Sequence, residues 1–146
     1  QTKLTKLTKT DEFSSVFNFR KRLSSQHLSF HYQPNTLSLF RLGMVVGKKT
    51  QKLAVKRNYM RRVLRELMRK KQEQLLNFDI VIRIQKSFYR SDFVEIETEV
   101  DQMIAKLKKE INRNIISEML SIIIKSLFWS AMSIHTDMFK IHDRGD

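Results

Sequence analysis

The stretch from Lys48 to Lys71, KKTQKLAVKRNYMRRVLRELMRKK, constrains this chain more than any other. Eleven lysines and arginines against Glu66 alone place +10 of the chain's net +13 within 24 residues. At 100° per residue, Arg57, Arg61, Arg65 and Arg69 share one side of a helix with Asn58 and Arg62. Leu53, Met60, Val63, Leu64, Leu67 and Met68 gather on the opposite side, so one face suits a core and the other a polyanion. A solvated charged face is the ordinary reading of such a run. Here the four arginines at i, i+4 spacing repel one another with almost no acid to relieve them, which favours a partner's phosphates. Arginine grips phosphate bidentately and stacks on bases, and Asn58 adds a group that both donates and accepts.

The remaining residues must supply that core. With 146 residues and 41% hydrophobic content, the chain has enough apolar material for one domain. The absence of cysteine excludes disulfides, thiolate nucleophiles and cysteine-based zinc sites. The opening QTKLTKLTKTDEF lacks the apolar centre of a secretory signal, so a cytoplasmic location is expected. His27, His31, His135 and His142 show no metal-ligand spacing and read as structural or surface histidines. Three glycines offer no phosphate loop, and no serine sits in a nucleophile elbow, so neither protein-based catalysis nor a protein-held metal is expected.

Thr10, Asp11 and Glu12 suit a helix start, opening a helix over about 11–20 with Phe13, Val16 and Phe17 along one stripe. Core packing is the plain reading of those rings. From Gln26 to Gln33, Leu28, Phe30 and Tyr32 alternate with His27, Ser29 and His31, which marks a half-buried strand with the histidines outward. Pro34 and Asn35 punctuate a turn, and Leu39–Val46 reads as a second strand, suggesting an antiparallel hairpin-like pair. Asp79–Ile84 is dense in β-branched residues and forms a central strand beyond the basic helix, completing a crossover unit. Asp92 and Glu95 resemble a capping box for a last helix bearing Val94, Ile96, Val100, Met103, Ile104 and Leu107. The order α, β, β, helix, β, α predicts an α+β sandwich with helices on a small sheet.

The chain divides at about residue 110. Residues 111–146 form an apolar extension with Glu118 and Lys125 inside a run about one membrane span long. The expectation is an oily helix packed on the domain or on another chain, or a poorly ordered extension, rather than a membrane partner.

The spacing within the basic stretch is specific. Lys48, Lys49, Ala54, Arg57, Asn58, Arg61, Arg62, Arg65 and Glu66 closely resemble the signature of the bacterial ribonuclease P protein component, with Tyr59 where that family usually carries arginine. Leu7-Thr8-Lys9, Asp11-Glu12-Phe13 and Val16-Phe17 resemble its opening helix, Arg41-Leu42-Gly43 its second strand and Phe78-Asp79-Ile80-Val81 its later strand. The resemblance spans roughly residues 4 to 109. It implies a left-handed βαβ crossover, against the general preference for the right hand. It also implies the catalytic RNA of ribonuclease P and precursor tRNA as partners, with no obligatory protein partner.

In that family the RNA hydrolyses the 5′ leader from precursor tRNA using Mg2+, and the protein contributes substrate affinity and the active RNA conformation. Carried over residue by residue, Lys56, Arg57, Asn58, Arg61, Arg62 and Arg65 would meet the catalytic RNA. Phe13, Phe17 and Tyr32, with Lys48 and Lys49 nearby, would line a cleft for the single-stranded leader, the rings stacking on unpaired bases. Gly47 stands where many members carry Ser or Ala, which would loosen the strand end, and the extension overruns the family's usual length. The alternative is a ribosomal or structural RNA-binding module of similar fold.

Overall fold

The structure is a computed structural model that describes residues 4–144, with side chains described as far as residue 135. His142 lies outside the described side chains. The elements in chain order are β1 (Thr5–Lys6), α1 (Thr10–Asn18), β2 (Lys21–Ser24), β3 (Leu28–Pro34), β4 (Arg41–Val46), α2 (Ala54–Lys71), β5 (Phe78–Ile84) and α3 (Phe93–Arg144). This is the expected α+β class. Two short strands, β1 and β2, are additions to the sequence reading; each has too few apolar residues to show a period.

The five strands form one sheet in the order β1-β4-β5-β3-β2. The expected hairpin of β3 with β4 is not formed. β5 lies between them, parallel to β4 with Gly43 opposite Val81 and antiparallel to β3 with His31 opposite Val81. The hairpin is instead β2 with β3, where Arg22 faces His31. The β-branched run of β5 explains its central place, since a strand covered on both faces needs apolar side chains in both directions.

Alternation then divides the sheet. Val81 joins Leu7 and Val16 in a buried cluster, with Phe13, Phe17 and Val45 packed against it, so α1 covers this face. Ile80, Ile82, Ile84, Phe30 and Leu28 point the other way and are fully buried. The cover on that side comes from Met60, Leu64 and Met68 of α2 and Ile96, Val100 and Met103 of α3, all buried. Burying each such side chain contributes about 1.5–3 kcal/mol. Leu53, placed by spacing on the apolar side of α2, is the helix N-cap and is exposed.

Local chemistry seats the helices. Glu12 Oε1 accepts the Lys9 amide at 3.1 Å, closing the first turn of α1. Arg41 joins α1 to the sheet: its Nε and Nη2 donate to Asp79 at 2.8 and 2.6 Å, and Nη1 donates to Glu12. Hydrogen bonding to Asp79 is the main reason the Arg41 guanidinium holds its proton above the ordinary range. Asp92 caps an earlier turn than expected, accepting the Tyr89 amide at 2.9 Å ahead of α3. Asn77, at φ 73°, occupies the left-handed region that asparagine tolerates, between its bonds to Leu39 and Asn35.

The chain forms two compact units, Gln1–Lys106 and Leu107–Asp146. The second is a single helical segment, the C-terminal part of α3.

Candidate nucleic-acid interface

Two surfaces of the first unit carry the residues singled out by sequence. The first is the outward side of α2. Asn58 and Arg62 are exposed, as is Lys56 on a flank, whereas Arg57, Arg61, Arg65 and Arg69 are partly covered at the shoulder of the helix. Arg57 differs from its neighbours: its Nη1 donates to the carbonyls of Gln51 and Lys52 at 2.9 and 2.8 Å, so it ties down the turn that precedes the helix. Arg61 Nη1 donates to Asn58 Oδ1 at 3.1 Å, which orients both polar groups. Arg65 Nε is buried and lacks an acceptor among the described residues.

One flank of α2 is aromatic. Lys56 Nζ sits 5.1 Å from the centre of the exposed Tyr89 ring, and the Arg90 guanidinium lies 5.9 Å from that of Tyr59. These are cation–π distances. Tyr59 therefore carries an arginine against its ring, at the position where the sequence departs from the family signature.

The second surface is the sheet face beside α1. Phe13 lies against β4: a Cβ added to Gly43 would come within 2.6 Å of its ring, so only glycine lets α1 approach this closely. Ser15 and Gln33 exchange hydrogen bonds at 3.0 and 3.2 Å, fastening the helix to β3. Phe17 is half-buried and meets the imidazole of His31 edge-on, with centroids 4.7 Å apart. His31 Nε2 lies 3.3 Å from Ser29 Oγ. Burial, then the charges of Arg22 and Arg83, push the His31 pKa below its usual 6.5. Lys48 and Lys49 are exposed in the turn after β4.

This arrangement corrects the placement of Tyr32. Its side chain alternates away from His31, stands opposite Ile80 and is 5% exposed, on the face of the sheet covered by α2 and α3. It does not share a surface with Phe13 and Phe17. The ring that accompanies Phe17 is His31, and Arg22 and Arg83 bring charge to the same strip; these three were missed. Alternation in β3 separates His31 from Tyr32, but the choice between faces depends on where α1 docks.

The two strand histidines do not form the expected solvent-facing pair. His27 is buried, its Nδ1 2.6 Å from Glu99 Oε2 and its amide 2.8 Å from Glu99 Oε1, which also accepts Ser25 Oγ at 2.6 Å. Burial alone would raise the Glu99 carboxyl, but the bonds from Ser25 and His27 outweigh it and hold the pKa below 4.5. His27, Glu95 and Glu99 bring possible ligand atoms within 4.8 Å of one another, the one such group among the described residues. The direct His27–Glu99 pair accounts for its closeness. The Gly47 carbonyl accepts the amides of Thr50 and Gln51 at 3.1 and 3.2 Å, forming the turn after β4.

The ribonuclease P family model matches residues 2–108. The ribonuclease P protein component of Chromobacterium violaceum is 42% identical over 104 residues, covering 71% of this chain and 86% of the relative. That of an Azoarcus species is 37% identical, covering 70% and 85%. Among solved structures, the ribonuclease P protein of Thermotoga maritima superposes with a TM-score of 0.61 at 26% identity, over 69% of this chain and 96% of that one. The Staphylococcus aureus ribonuclease P protein, at 22% identity and a TM-score of 0.63, shares the fold over 73% and 97%. The arginine-lined helix, the sheet order and these likenesses converge, and the chain belongs to the ribonuclease P protein component family.

Proposed function

We propose that this chain is the protein subunit of a ribonuclease P, assisting a catalytic RNA in the endonucleolytic removal of 5′ leaders from precursor tRNA. The observation that carries this reading is the α2 face, where the exposed Asn58 and Arg62 stand among the partly covered Arg57, Arg61 and Arg65 on one side of the helix, within a family-matched segment. Lys56, Arg57, Asn58, Arg61, Arg62 and Arg65 are assigned to the catalytic RNA. Within that set Arg57 acts by holding the entry turn of the helix. Phe13 and Phe17, with Lys48 and Lys49, are assigned to the leader; Phe13 serves by seating α1 and Phe17 by stacking. His31 takes the place in the leader strip that Tyr32 does not fill.

Hydrolysis belongs to the RNA, and Mg2+ is its metal in the holoenzyme. The protein's part is electrostatic and positional. Phosphate neutralisation by α2 lowers the cost of compacting the RNA, and the strip on the sheet adds stacking energy for an unpaired strand.

The test is cleavage of precursor tRNA at low magnesium by ribonuclease P RNA, with and without the full chain. The chain alone should be inactive and should accelerate the RNA at limiting substrate. Equal rates with and without the chain would refute the assignment. Preferential binding to ribosomal RNA would point instead to a structural RNA-binding module.

A further inference from the structure

The C-terminal part of α3 lies beyond the family match and plays no part in the function proposed above. From residue 112 to residue 135 every side chain is exposed, and an 18-residue window of this helix reaches a mean hydropathy of 1.5 with none of it buried. Between Met119 and His135 the sole Lys, Arg, Asp or Glu is Lys125. Ile116, Leu120, Ile123, Leu127 and Ile134 follow a heptad-like seam, but the apolar residues are not confined to it. At 100° per residue, Ile122, Trp129 and Met132 fall among or beside the polar positions Glu118, Ser121 and Lys125, while Ile123, Ile124 and Leu127 occupy the other side. A coiled-coil partner covers one stripe and leaves the rest in water. A helix that is apolar all round requires a surrounding that is apolar all round.

Length and charge point the same way. From Ile115 to His135 the helix runs 21 residues. At about 1.5 Å per residue this spans roughly the 30 Å hydrocarbon thickness of a bilayer. Lys106, Lys108, Lys109 and Arg113 precede the segment, and Lys140 and Arg144 follow it. The richer basic side stays cytoplasmic under the positive-inside rule and is attracted by anionic headgroups.

We infer that residues 115–135 cross a lipid bilayer and anchor the chain, with the RNA-binding residues on the cytoplasmic side. This replaces the expectation of an oily helix packed on protein. Lys125 and Glu118 are the costly residues of the span, and their spacing of seven residues keeps the two charges on one side of the helix.

The test is flotation of the full chain, synthesised in the presence of neutral phosphatidylcholine vesicles and analysed in 1 M salt, which suppresses attraction between the basic unit and lipid. The unaltered chain should float and remain with the vesicles after alkaline carbonate. A full-length variant carrying Ile123→Lys and Leu127→Lys should partition roughly 1,000-fold less. Its binding to ribonuclease P RNA should be unchanged, separating loss of the anchor from loss of the fold. Recovery of the unaltered chain at the bottom of the gradient, as a monomer or as an oligomer, would overturn the inference. So would equal flotation of the two proteins. Neither result depends on whether the chain supports tRNA cleavage.

Discussion

The outward side of α2 and the strip between α1 and the sheet are both basic, yet they are built in different ways. On α2 the charge is dense and the spacing comes from one helix, so the surface exists as soon as the helix forms. The strip is assembled from α1, β2, β3 and β5, and its charge is sparse: Arg22 and Arg83 flank one imidazole and one phenyl ring. Charge in register along a helix suits the regular phosphates of structured RNA. Rings with few charges suit a strand whose bases are unpaired. Under the proposed assignment, the same polyanion chemistry is divided between a surface that positions and a surface that stacks.

The largest expected effect separates the two by charge. Replacing Arg61, Arg62 and Arg65 together with Ala should weaken binding to the catalytic RNA roughly 100-fold or more and flatten the salt dependence by about 0.9 per lost phosphate contact. Thermal unfolding of the variant should match the parent. If affinity falls without a change in salt slope, the three side chains are not neutralising phosphates.

Phe17→Ala is the converse. It should cost about 1–3 kcal/mol in binding precursor tRNA that carries a leader and leave leaderless tRNA unaffected. Equal losses on both substrates would move Phe17 out of the strip. Gly43→Ala tests how the strip is held together, because the added methyl meets the Phe13 ring. A loss of about 1–3 kcal/mol in stability is expected. Leader affinity should fall more than affinity for the catalytic RNA.

A smaller effect follows from His31. Its pKa lies below 6.5, so between that lowered value and 6.5 the folded chain binds fewer protons than the unfolded one. Its contribution to stability is complete above 6.5 and declines as pH falls toward the lowered value. A phosphate beside the ring favours the charged form, so leader binding should take up a proton and tighten as pH falls through this window. Affinity titrations of the parent and of His31→Ala check this: the variant should lose the pH dependence and, at pH 8, about the 1–3 kcal/mol of one stacked ring. The smallest effect belongs to Tyr32→Phe, which should leave leader affinity unchanged, since the ring lies on the other face of the sheet. A clear loss there would return Tyr32 to the strip.

Much of α2 could be read from sequence, because arginines three and four residues apart define a face whatever surrounds them. Leu53 was misplaced because periodicity does not mark where a helix begins, and the backbone there is extended. The pairing of β3 with β4 was misread for a different reason. Short connections favour neighbours, but the apolar run of β5 competes more strongly for the centre of the sheet and displaces β4 to its other side. Alternation points His27 to solvent because its partner, Glu99, is 72 residues away. No local pattern announces a carboxylate from a distant helix.

What the sequence by itself determined was the chemistry that repeats at short range: a basic amphipathic helix, a β-branched central strand, an apolar extension, and a spacing specific enough to identify a family. Tertiary structure alone decided which face of the sheet receives α1, and with it that His31 rather than Tyr32 stands beside Phe17. Alternation assigns two faces to a strand but does not say which face meets which helix. That choice rests on packing between elements far apart in the chain, here on a glycine that admits a phenyl ring and an arginine that binds two carboxylates.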